Sequence, residues 1–272
     1  MPEDLIPVVE QPAFRVWDCG AARPVLALHC SLAHSGAWSG LVERLSGVTV
    51  TALDQPGHGR AADWDGVEEI HGLTTRLSIA WVEKLATAGP IDLFGHSFGA
   101  TVALRIALAR PDLVRSLMLV EPVIFAAAKG GSAYGPFRAE HETVARLMAE
   151  GRRDAAASAF HAAWGTGEPF ADLPDRQRNY ILARIHHIAA QNPVLLDDAA
   201  GLLVPGRLEA LRVPVLMVEG GDSPPIIDAV QTALCARLPK ATRLIVPGAG
   251  HMVPITHPQV VARSVQMHLD AS

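Results

Sequence analysis

The chain has 272 residues, 49% of them hydrophobic and 19% charged, with a formal net charge of −5. Such a composition gives a globular chain with a sizeable core and argues against a disordered one. No long basic block is present and no apolar run reaches the ~18 residues of a membrane span, so neither nucleic acid nor membrane is expected as a partner. The opening "MPEDLIPVVEQP" lacks the basic and apolar regions of a signal peptide, and the cysteines number three. Both features predict a cytoplasmic, reducing location without a disulfide frame.

In chain order, "LIPVVE" (5–10) and "AFRVWDC" (13–19) read as an N-terminal hairpin. Buried strands are expected at "PVLALHC" (24–30), "VTVTALD" (48–54), "IDLFGHS" (91–97), "SLMLVE" (116–121), "VPVLMVE" (213–219) and "RLIVPG" (243–248). Helices are expected at 36–46, 74–88, 98–110 and 257–270. Continuous apolar strands with helices between them predict an α/β fold, with a mostly parallel central sheet covered on both faces. Between about Phe125 and Val204 the patterns are helical: "AEHETVARLMAE", "RRDAAASAFHAAW" and "PDRQRNYILARIHHIAAQ". This stretch is too long for a linker and reads as an inserted cap, residues 125–204, on a core of 1–124 and 205–272.

The chemistry centres on "LFGHSFGAT" (93–101). Ser97 lies between glycines, after an apolar strand and before a helix. A sharp turn there lifts the hydroxyl above the sheet and leaves the Phe98 N–H at a helix N-terminus, where an anion is favoured. A serine hydroxyl needs a base. His251, in the glycine-rich loop "VPGAGHMVPITHP" (246–258), is the candidate. A carboxylate should orient it. Asp222, after Gly220-Gly221 in "VLMVEGGDSPP", is expected in that role, with Glu121 and Glu219 as alternatives. The adjacent His186 and His187 are poorly spaced for a metal, and no metal or cofactor is expected.

The order Ser97, Asp222, His251 resembles the serine branch of the α/β-hydrolase fold superfamily. "LDQPGHGRA" (53–61) is similar to its D-x-x-G-x-G-x-S turn, and "GAGHMVPITHP" to its histidine segment. The resemblance covers nearly the whole chain. It implies an acyl-enzyme mechanism with an oxyanion held by the N–H groups of Phe98 and Ser31, Leu32 being the fallback. One segment departs: Cys30, in "LHCSLAHSGAW", stands where the family usually has glycine. Cys30 is read as a small buried side chain, His29 as structural, and Trp38 as packing beneath the loop. The substrate is expected to be a small, largely apolar ester or similar activated carbonyl. His34, Phe160, His161, Trp164 and Met252 are the expected pocket residues, with Phe170 and Tyr180 also in the cap. Carbon–carbon bond hydrolysis, cofactor-free haloperoxidase or perhydrolase chemistry, and a non-catalytic small-molecule receptor are the alternatives.

Overall fold

A computed structural model of the chain describes residues 13–272. Six runs rich in β-branched and other apolar residues form one sheet: β1 (Phe14–Leu28), β2 (Val48–Leu53), β3 (Ile91–His96), β4 (Val114–Val120), β5 (Val215–Gly220) and β6 (Ala241–Val246). Their order is β2-β1-β3-β4-β5-β6. From Pro24 to Leu28, β1 runs in parallel register with Thr49–Leu53, and β3 to β6 continue the parallel pairing. Over Phe14–Cys19 the partners on β2 instead descend from Leu53 to Val48. The first half of β1 therefore runs back along the other edge of β2. "AFRVWDC" thus pairs with β2; its expected hairpin partner "LIPVVE" lies outside the described residues.

The helices in chain order are α1 (Ser39–Val42), α2 (Ile70–Leu85), α3 (Phe98–Ala109), α4 (Tyr134–Ala149), α5 (Arg153–Trp164), α6 (Asp175–Arg184), α7 (His186–Ala190), α8 (Asn192–Leu195), α9 (Pro225–Cys235), α10 (Val253–Thr256) and α11 (Pro258–Asp270). Side chains alternate across the strands, so two cores form. Leu26, Leu93, Leu117 and Met217 pack on one face with residues of α2, α3 and α9. Val25, Phe94, Met118 and Val218 pack on the other with Leu41, Val42 and the α11 residues Val261 and Val265. The single helix expected at 36–46 is a 3-10 turn (Ser35–Trp38) followed by the one-turn α1. Helix α9 was not foreseen. Proline at the first helical position is well tolerated, and Ile226, Ile227 and Val230 behind it are buried.

Between β4 and β5 the described elements are helical, α4 to α8 with two short 3-10 turns. They share a small core of their own, including Val144, Leu147, Ala156, Ile181 and Ile185. No helix among the described residues is long and apolar enough to cross a membrane.

At the N-terminal edge of β3, Asp92 is wholly buried. It accepts from Arg23 at 2.7 and 3.0 Å, from Arg115 at 3.3 Å and from the Ser116 hydroxyl at 2.7 Å. Removing one partner leaves a buried carboxylate undercompensated. Arg23→Met should therefore lower the unfolding free energy by roughly 3 kcal/mol. Urea denaturation should record this as a lower midpoint at an unchanged slope.

Candidate active site

The chain leaves β3 and enters α3 through Ser97, at φ 56° and ψ −117°. That left-handed conformation is costly for a residue with a side chain, and the packing on either side sustains it. The flanking glycines are required by close approach. A Cβ on Gly95 would lie 2.4 Å from Ala100 Cα, and one on Gly99 would lie 2.3 Å from the Leu28 carbonyl oxygen. The Ser97 N–H donates to the Val120 carbonyl at 2.8 Å, fastening the turn to the end of β4. Phe98 opens α3, so its N–H has no carbonyl of the same helix to bond.

His251 comes to Ser97 from the loop after β6. The Ser97 hydroxyl donates to His251 Nε2 at 2.9 Å, and both side chains are at most 6% exposed. His96 Nε2–H donates to the His251 carbonyl at 2.9 Å and holds that loop down. The carboxylate on His251 Nδ1 is Glu121, which corrects the expectation of Asp222. Glu121 follows β4, has φ 46° and is fully buried. Its second oxygen accepts from the Gly220 N–H at 2.7 Å and from the Ser223 hydroxyl. Asp222 has an exposed side chain, and its backbone N–H is committed to the Ala249 carbonyl at 2.9 Å. Glu219 is bound by Arg243 at 2.7 Å. Burial alone would raise the Glu121 carboxyl. The charge and hydrogen bond of His251, with the Ser223 and Gly220 donors, outweigh it and hold Glu121 below its ordinary range. A hydroxyl, imidazole and ionised carboxylate in one line can move a proton off the hydroxyl.

The loop after β1 closes the other side. Its left-handed residue is Leu32, φ 60°, so Cys30 needs no special backbone. Burial pushes the Cys30 thiol up to about 12, which makes it inert. The Leu32 N–H donates to His58 Nε2 at 3.1 Å and is thereby occupied. The D-x-x-G-x-G turn braces this loop. Asp54 accepts from the Ser35 N–H at 2.7 Å and the Arg60 N–H at 3.0 Å, and the Gln55 N–H donates to His29 Nε2 at 3.0 Å. His29 and His58 are thus structural and neutral, and Trp38 is buried against Phe94.

Ser31, Ser97 and His251 line a cavity of about 30 Å³ with Val123, Phe125, His141, Phe160, Trp164, Ile188, Gln191 and Leu195. Of the expected pocket residues, Phe160 and Trp164 are here, and Trp164 packs edge-on to His251 at 4.8 Å. His34 and Met252 instead line a separate groove of about 730 Å³ with Tyr180. His161 does not line the small cavity; its Nε2–H donates to the Glu168 carbonyl at 3.0 Å and its ring lies against Phe170. His141, Gln191 and Ser223 were not foreseen; nothing local in the sequence marks them, because each arrives from a distant helix or turn.

The sequence profile of the alpha/beta hydrolase family matches residues 25–264. The chain belongs to the alpha/beta hydrolase family. Among related hydrolases, 2-(acetamidomethylene)succinate hydrolase of Mesorhizobium japonicum is 26% identical over 93% of this chain and 90% of its own. Pimeloyl-[acyl-carrier protein] methyl ester esterase of Nitrosomonas europaea is 25% identical over 88% of this chain and 93% of its own. An alpha/beta hydrolase structure from Sphaerobacter thermophilus superposes with a TM-score of 0.72, covering 94% and 95% of the two chains at 23% identity, which attests the shared fold. The protein is accordingly a hydrolase.

This hydrolase buries many neutral imidazoles. Burial, chiefly, pushes His58, His71, His96 and His187 down to about 3 and His29 to about 4. Their folded values lie below the ordinary ~6.5, so their stabilising contribution is complete above that pH and is lost as the unfolded chain takes up protons below it. Glu121, lowered in the fold, adds a loss in the same direction as pH falls below the ordinary carboxylate range. Unfolding free energy from urea titrations should be flat above about pH 7 and fall steeply between roughly pH 6.5 and 4. Stability that rises on acidification from pH 7 to 5 would contradict this assignment.

Proposed function

We propose that the protein is a serine esterase whose nucleophile is Ser97, with His251 as base and Glu121 as the orienting acid. The carrying observation is the continuous hydrogen-bond line from Ser97 through His251 to Glu121. Ser97 attacks the carbonyl as His251 takes its proton. The oxyanion forms against the N–H groups of Phe98 and Ser31; Leu32 is excluded because its N–H serves His58. His251 then protonates the leaving alcohol, and water resolves the acyl-enzyme by the same route.

Residues 125–204 act as a cap on a core of 1–124 and 205–272. In this reading the cap selects a short, largely apolar acyl group. The described residues lining the site cavity include no Arg or Lys. That favours a simple carboxylic ester over a dicarboxylate like that named for the succinate hydrolase, since a carboxylate would enter unpaired. Phe160, Trp164 and His141 form the wall between this cavity and a groove of about 580 Å³ bounded by α4, α5 and Pro224-Pro225-Ile226.

Turnover of p-nitrophenyl esters from acetate to decanoate tests the reading. Ser97→Ala should abolish it. Glu121→Gln should lower kcat about a thousandfold or more, whereas Asp222→Asn should leave it within about twofold. The reverse ranking of the two acid variants would return the role to Asp222. Trp164→Ala should open the cavity into the groove, moving the preferred acyl chain to a longer one at similar kcat. An unchanged chain-length profile would remove Trp164 from the pocket wall.

A further inference from the structure

The cavity at Ser97 contains a polar group that the proposed triad does not use. Gln191 follows α7, immediately before α8, and is 2% exposed. Its Oε1 accepts the Ser31 hydroxyl at 2.8 Å, which leaves Nε2 as the end of the amide turned away from Ser31. Its Nε2 is buried and has no hydrogen-bond partner among the described residues. A buried amide N–H₂ left unpaired is unfavourable and rare in a settled interior. Gln191 lines the same cavity as Ser97 and His251, whose remaining lining is mostly apolar. An acceptor that arrives with the substrate would supply the missing partner.

Ser31 defines which part of the substrate that is. Gln191 is held on the Ser31 side of the nucleophile, the side given above to the oxyanion, and belongs to the segment given above to the acyl group, while His251 serves the leaving group. We propose that Gln191 Nε2 is a specificity-determining donor that binds an oxygen borne by the acyl group, so the enzyme favours short esters with an ether, hydroxyl or keto oxygen beside the scissile carbonyl over alkyl esters of equal size. The inference rests on Ser97 as nucleophile. A site that hydrogen-bonds a substrate atom rejects the analogue lacking it more strongly than an apolar pocket rejects a lost methylene, because its own donor is left stranded.

p-Nitrophenyl methoxyacetate and p-nitrophenyl butyrate differ by one oxygen for one methylene. Their kcat/KM ratio in the wild type, divided by the ratio in a variant, cancels intrinsic reactivity. Gln191→Met removes the donor at similar size. Gln191→Glu removes it while keeping an acceptor for Ser31. Both should lower the preference for methoxyacetate about tenfold. Equal losses on both esters would reduce Gln191 to a support for Ser31, and no loss on either would give it no part; both outcomes overturn the proposal. Ser97→Ala separates the two readings: activity that survives it overturns the nucleophile assignment, whereas activity that vanishes with an unchanged ratio overturns only the role of Gln191. If the wild type is inert on both esters, labelling of Ser97 by a fluorophosphonate leaves the nucleophile standing and overturns the ester preference; an unlabelled Ser97 overturns both.

Discussion

Every part of the site is referenced to the junction between β3 and α3. The strained backbone at Ser97 persists because α3 is pressed onto the sheet so tightly that Gly99 has a carbonyl of β1 where a Cβ would stand. That contact sets the Phe98 N–H beside the loop after β1. The bond from the Ser97 N–H to Val120 sets the same junction against the end of β4, one residue before Glu121. Ser97, the loop after β1 and Glu121 are thus positioned from one point. Strain of this kind is worth about 1–3 kcal/mol, an amount that the fully buried flank of α3 readily offsets.

Two populations of histidine divide the work around that junction. His29 and His58 each accept a backbone N–H on one ring nitrogen and lie against a carbonyl with the other, so their environment demands the neutral ring. They stiffen the loops without introducing charge. His251 alone among the site histidines has a carboxylate on one nitrogen and a hydroxyl on the other. The carboxylate of the site therefore faces one ring alone, and the low dielectric around the neutral rings strengthens its hydrogen bond.

The sheet and its loops supply Ser97, His251 and Glu121, and the helical segment supplies much of the wall of the cavity beside Ser97. Phe160 and Trp164 stand four residues apart on α5, so one face of that helix presents both to the cavity. Gln191 reaches the same space from beyond α7, where two helices, α6 and α7, divide the helical pattern of "PDRQRNYILARIHHIAAQ". Regular periodicity placed the helices, but not the breaks that aim their ends at Ser97.

By itself the sequence determined the parallel sheet, because fully buried strands must be continuous apolar runs. It also singled out Ser97 and His251, which the fold brings within hydrogen-bond distance, because a glycine-flanked elbow and a glycine-rich loop are local demands on local residues. Tertiary structure alone decided which carboxylate meets His251. Glu121 and Asp222 both follow the ends of neighbouring strands, β4 and β5, so their spacing in the chain could not separate them. The left-handed backbone at Glu121, its burial and the donors of Gly220 and Ser223 turn its carboxylate to His251, while the backbone bond from Asp222 to Ala249 accompanies a side chain left in solvent. Such a choice depends on contacts between residues about a hundred positions apart, which no short motif encodes.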